Sequence, residues 1–253
     1  MSQPLSRRSF LALTTGALAA PKLFWPTRSQ AQQIQEDDDE VPAVLDHIII
    51  GCNDLDAGID LVKEKTGVRA TLGGVHPGRG TRNALLSLGE RHYLEIISPD
   101  TSQGPIVHFP QILGMKEPRL IGWAVHPLDI AATAKLLREN KIAFKGPDDG
   151  SRQRPDGHVL NWKTINLDDD RHGLLPFFIE WSADTIHPSK DAPSHCTLEY
   201  FQILSPDPDE LSTTFKHMGL DLPVERSDKP RLRALISGPK GELGLTTSAG
   251  RFE

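Results

Sequence analysis

The chain has 253 residues, of which 25% are charged and 38% hydrophobic, with 28 Lys and Arg against 34 Asp and Glu for a formal net charge of −6. No Lys/Arg stripe offsets that negative balance, so polyphosphate is repelled and nucleic acid is excluded as a partner. The N-terminal segment carries Ser6-Arg7-Arg8-Ser9-Phe10-Leu11 and an apolar stretch from Leu11 to Ala20. That order reads as a twin-arginine export signal over residues 1–31, cleaved after Ala31 in Ser29-Gln30-Ala31. Thr14, Thr15 and Gly16 dilute the apolar stretch, which falls short of the about 20 residues a membrane anchor needs. An uncleaved N-terminal anchor is the alternative. The expected destination is the periplasm or the exterior, with no stable membrane anchor after cleavage. Removing the signal takes away Arg7, Arg8, Lys22 and Arg28 and leaves the remainder more acidic. Residues 32–42, with the run Glu36-Asp37-Asp38-Asp39-Glu40, read as a solvated acidic linker.

Beyond the linker one unit recurs at intervals of roughly 75 residues: a strand, a helix, then three more strands. In the first copy Val44 to Cys52 is a buried strand bounded by Pro42 and Asn53-Asp54. Leu55, Ile59, Leu61 and Val62 follow at helical spacing until Gly67, with strands at 68–72, 83–88 and 92–97. The second copy has a strand at 120–125, a helix from Asp129 to Asn140, and strands near 142–145, 158–166 and 176–181. The third runs from Leu198 through a helix at 209–218 to strands at 222–225, 232–237 and 242–246. The fold class is therefore α+β, built of paired βαβββ modules over residues 43–183 with a third, βαβββ-like module over 195–247.

Cys52 and Cys196 lack metal-motif spacing and are too few for a disulfide framework, although an exported chain could pair them. There is no Gly-x-Ser-x-Gly elbow, no His-Glu-x-x-His helix, no dinucleotide glycine fingerprint and no cysteine with an evident base.

Five stretches resemble the vicinal oxygen chelate superfamily in its glyoxalase-like branch. They are Leu45-Asp46-His47-Ile48, His76-Pro77-Gly78-Arg79-Gly80-Thr81-Arg82-Asn83, Tyr93-Leu94-Glu95-Ile96, Arg154-Pro155-Asp156-Gly157 and Pro176-Phe177-Phe178-Ile179-Glu180-Trp181. The resemblance implies that the first and fourth strands of each module lie side by side, so that His47 and Glu95 converge in a concave sheet. It also implies a divalent metal (Zn, Mn, Ni or Fe) held by His47, Glu95 and Glu180, with open positions for a substrate's own oxygens. Glu95 and Glu180 would then double as the groups that move a proton. The first strand of module two departs from the family pattern, because its ligand position falls near Gly122 or Trp123; His126 and His172 are the substitutes. A strand histidine can equally be a hydrogen-bonded structural residue, and either glutamate could point to solvent.

A second cluster reads as a substrate clamp. Its glycines let backbone approach a ligand, and its guanidinium groups can hold a carboxylate or phosphate in bidentate fashion. His76, Arg79 and Asn83 belong to it in module one; its counterpart in module two is Arg152-Gln153-Arg154-Pro155-Asp156-Gly157 with Trp162 downstream, from which Arg154, Asp156 and Trp162 are the candidates. Asp156-Gly157 alone would also serve as turn chemistry. The functional expectation is an exported, metal-dependent lyase or isomerase, or a hydrolase, acting on a small, oxygen-rich, anionic molecule. The alternative is a non-catalytic protein that sequesters such a molecule on the same clamp. A homodimer is compatible with either.

Overall fold

The computed structural model describes residues 41–247. The signal at 1–31 and most of the acidic linker at 32–42 lie outside them. Strand β1 (Leu45–Gly51) leads into helix α1 (Leu55–Thr66), followed by β2 (Thr71–His76), β3 (Thr81–Ser87) and β4 (Tyr93–Pro99). The second module repeats the order with β5 (Arg119–Val125), α2 (Ile130–Glu139), β6 (Phe144–Gln153), β7 (Val159–Leu167) and β8 (Phe177–Trp181). Both helices start where a short acidic side chain meets free amides: the Asp54 carboxylate accepts from Asp56 N and Ala57 N, and that of Asp129 from Ala131 N and Ala132 N. Helix α1 ends at Gly67, whose φ of 86° is the left-handed cap position that favours glycine.

The eight strands form one sheet in the order β2-β3-β4-β1-β5-β8-β7-β6. Within each module the first strand runs parallel to the fourth, and the two modules join through the antiparallel pair β1 and β5. The sheet curls until its outer edges meet, and backbone contact there is so close that a Cβ on Gly74 would lie 2.6 Å from Gln153 O. The cup therefore closes within a single chain.

Side-chain alternation divides β1 and β4 between two environments. Ile48, Ile50, Leu94 and Ile96 join the main core beneath the helices, while His47, Ile49, Glu95 and Ile97 line the concave side. Residues 100–118 connect the modules, and His108 and Phe109 of this segment line the concave side. Ile112 and Met115 of that segment pack with Ile49, Ile97 and Ile121 and fill part of the hollow.

A short helix, α3 (Pro188–Asp191), precedes the C-terminal unit of β9 (Thr197–Ser205), α4 (Pro208–His217), β10 (Glu225–Arg226), β11 (Arg231–Gly238) and β12 (Gly241–Thr246). Its element order is that of a βαβββ module, but its strand order is β10-β9-β11-β12, so the first strand does not pair with the fourth. It forms its own sheet on the outside of the cup. Phe201 and Phe215 meet the Trp123 ring at centroid distances of 5.0 and 6.2 Å, which makes one continuous core of all three units. Cys52 and Cys196 are both buried free thiols.

Several strand placements differ from the sequence reading, among them β10, which is Glu225–Arg226 rather than 222–225. Strand β2 starts at Thr71 rather than 68, β3 begins at Thr81, and β6 continues eight residues past Lys145. Gly146-Pro147 is not a turn but a bulge, at which the register against β7 shifts between Lys145 and Asp148. His76 and Asn83 accordingly lie on paired strands, and only residues 77–80 form the turn between them.

Candidate functional site

The concave face encloses a cavity of about 170 Å³ with an aromatic wall of Tyr93, Phe109, Trp162, Phe177 and Trp181. His47, His76, Arg79, Glu95, Arg152 and Thr164 supply its polar side. Strand β1 carries an extra residue at Asp46, where the register against β5 shifts between Leu45 and His47. The bulge turns the Asp46 carboxylate toward its neighbour, so that Oδ1 lies 2.7 Å from His47 Nδ1. Asp46 Oδ2 accepts from Trp181 Nε1 at 3.1 Å and lies 3.2 Å from His187 Nε2. Burial alone would raise the Asp46 carboxyl, but the hydrogen bonds and charges of His187 and His47 hold it well below the usual carboxylate range.

An ionised Asp46 keeps a proton on His47 Nδ1 and leaves Nε2 as the free ring nitrogen. That Nε2 is buried and has no hydrogen-bond partner, and it stands 3.6 Å from Glu95 Oε2. Tyr93 stacks on the imidazole at 4.4 Å and Phe177 meets it edge-on at 5.5 Å, which fixes the ring plane.

Glu95 is 8% exposed. Burial would raise its carboxyl, yet the charges of His76, His47 and Arg152 and the hydrogen bond from Asn83 outweigh burial and lower it. Asn83 Nδ2 donates to Oε1 at 2.5 Å. His76 Nε2 lies 3.5 Å from the same oxygen, and Arg152 Nη1 lies 3.9 Å away. His76 Nε2 also receives Arg152 Nη1 at 3.2 Å and Asn83 Nδ2 at 3.3 Å, so it acts as an acceptor and Nδ1 donates to Thr81 Oγ1. Burial pulls His76 down to about 4, against the opposing pull of Glu95, so this ring is neutral at ordinary pH. Two more cavity residues carry buried polar atoms without a partner, Arg152 at Nε and Thr164 at Oγ1. Each such atom costs on the order of 1–3 kcal/mol unless a ligand or water meets it.

The structure brings His47, His76, Arg79, Asn83, Glu95 and Trp162 to this site and leaves the other expected residues elsewhere. Glu180 is turned away: Ile179 and Trp181 face the cavity, so the residue between them faces the helices, where its Oε2 accepts from Ile130 N at 2.9 Å and caps α2. Arg154 is ion-paired with Asp191 and lies 3.4 Å from Asp156, outside the cavity lining. Asp156 is exposed and accepts from His158 N at 3.0 Å, which is turn chemistry. Arg152, from the module-two clamp stretch, also reaches the site, and Tyr93 and Asp46 are site residues to which the sequence assigns no role.

The side chains present do not fit a divalent metal. Gly122 is directly opposite Ile49 and so occupies the ligand position of β5; it has no side chain, and a Cβ there would lie 3.2 Å from the Phe109 ring. Neither His126 nor His172 lines the cavity, and the lone pair of His76 Nε2 is already engaged. Among the described residues no group of three or more His, Cys, Asp or Glu side chains could hold a metal ion, whereas protein sites for such ions use at least three donors.

Two βαβββ modules curled into one sheet around a cavity define the vicinal oxygen chelate fold. The chain belongs to the glyoxalase-like domain family, which matches residues 45–219 and so takes in both modules and the start of the C-terminal unit. A hypothetical protein from Staphylococcus aureus is similar in structure with a TM-score of 0.54 at 20% identity, covering 82% of this chain and 86% of that one. A Streptomyces coelicolor methylmalonyl-CoA epimerase variant in complex with 2-nitronate-propionyl-CoA aligns with a TM-score of 0.42 at 23% identity, over 53% of this chain and 94% of that one. Methylmalonyl-CoA epimerase from Mycobacterium tuberculosis aligns with a TM-score of 0.40 at 19% identity, over 56% of this chain and 89% of that one. No curated protein matches the chain.

Proposed function

We propose that the cavity binds a small organic molecule with a carbonyl or carboxylate on an apolar body, and that His47 moves a proton at the carbon beside that group. The observation that carries this reading is the buried, unpartnered Nε2 of His47, oriented from behind by Asp46 and placed beside Glu95. A nitrogen so held accepts a proton from a C–H bond; the bonding pair moves onto the carbonyl oxygen as an enolate. Arg152 and Thr164 each keep a buried donor for that oxygen. Glu95 stabilises the imidazolium that forms; return of the proton to the face it left regenerates the substrate with exchange of that hydrogen, and delivery of a proton to the opposite face of the same carbon completes an epimerisation. Trp162 and Trp181, 5.5 Å apart, favour a planar apolar body. Arg79 at the rim suits an anionic substituent.

The same proposal puts this activity outside the cytoplasm, on the strength of Ser6-Arg7-Arg8-Ser9-Phe10-Leu11. Cell fractionation tests that part, and replacement of Arg7 and Arg8 by Lys should hold the protein in the cytoplasm. The chemistry is tested by screening 2-oxo and 2-hydroxy carboxylates for a rise in melting temperature, then assaying the binders for turnover with native protein and Glu95→Gln. An enzyme retains measurable affinity and loses turnover in the variant. Binders that native protein never turns over would leave a sequestering protein.

A further inference from the structure

We infer that the guanidinium of Arg152 occupies the place a divalent metal would take in this cup, so that module two contributes a fixed cation where a chelate site would need a ligand. Arg152 extends from β6 across the seam where the sheet edges meet, and is 4% exposed. Its Nη1 lies 3.2 Å from His76 Nε2 and 3.9 Å from Glu95 Oε1, the donors that a metal beside His47 would need. The seam is shaped for this side chain. At Gly74, with φ of +126°, a Cβ would lie 3.3 Å from Arg152 Cγ and Cδ, so a side chain there would crowd the arginine stem as well as strand β6. The Trp162 ring centroid stands 5.9 Å from the guanidinium carbon, a cation–π distance.

The electrostatics are consistent with the substitution. Glu95 is a buried carboxylate that needs a nearby positive charge, and a buried charge without one is costly. Arg152 supplies a charge that persists at every ordinary pH and needs no uptake from the medium. The inference does not depend on the proton-transfer reading, because metal uptake is measured without any substrate.

The test is cobalt titration followed by visible absorbance, with elemental analysis of untagged protein purified without chelator. Native protein should contain less than about a tenth of an equivalent of any transition metal and give no tetrahedral cobalt band. Arg152→Ala frees His47, His76 and Glu95 as a three-donor set, and should bind about one equivalent of cobalt with the intense band of a low-coordinate site. Adding His76→Asn to that variant should abolish the band. One equivalent of tightly held metal in native protein, lost in Glu95→Ala, would overturn the inference, and that measurement needs no Arg152 variant to fold. Folded Arg152→Ala protein, judged by circular dichroism, that takes up no more cobalt than native would overturn it as well.

Discussion

Asp46 and His47 are neighbours in sequence whose side chains would point to opposite faces of a regular strand, yet a bulge brings the carboxylate to 2.7 Å from the imidazole Nδ1. The pair sets which ring nitrogen faces the cavity. Asp46→Asn should remove that control, and long-range proton–nitrogen correlation spectra should then show mixed His47 tautomers where native protein shows the Nδ1–H form alone. Turnover of any substrate should fall by about a hundredfold or more, as when an orienting carboxylate behind a catalytic histidine is neutralised.

His76 gives the fold a specific acid sensitivity. Its folded value, about 4, lies below the ordinary 6.5 of an unfolded histidine, so the unfolded chain binds more protons between those limits. Stability from this group is full above pH 6.5 and is lost as pH falls toward 4, by about 3 kcal/mol at most. Urea unfolding at pH 7 and pH 4.5 should show this loss, and His76→Asn should flatten it. Asp46, held low by two histidines, adds a further loss at more acid pH.

Glu95 and Glu180, on the fourth strand of each module but on opposite faces of the sheet, should respond differently. Glu180→Gln should leave cavity ligands bound as tightly as before, and cost about 1 kcal/mol of stability through the weakened cap of α2. Glu95→Gln should abolish turnover at the site. Isothermal titration with any ligand found, paired with thermal melts, separates the two effects.

Docking of the C-terminal unit depends on Trp123, which is 1% exposed and meets Phe201 and Phe215. Phe215→Ala should cost about 3–5 kcal/mol in urea unfolding, because the rings around it cannot collapse into the space left. A single cooperative transition is expected in both proteins, since one core is shared.

Much of this architecture can be read from the chain. Asp54, Asp129 and Asp207 each mark a helix start, and the apolar runs around His47 and Glu95 mark the central strands. The sequence does not place Glu180, because β8, with Phe178 in the core and Phe177 in the cavity wall, is apolar on both faces and its pattern does not say which face a residue takes. Arg152 reads as part of a clamp loop because Gly146-Pro147-Asp148-Asp149-Gly150 has turn composition, and only its pairing with β7 makes it strand. The Asp46 bulge has no local sequence signal, since it arises from pairing with β5.

The most direct test of the account is deuterium incorporation from heavy water into a ligand that binds the cavity, followed by proton NMR. The account predicts exchange at the carbon beside the carbonyl, at a rate proportional to native protein and lost in His47→Gln that still binds the ligand. Exchange at an unchanged rate in His47→Gln, or no exchange with any ligand that native protein binds, would contradict it.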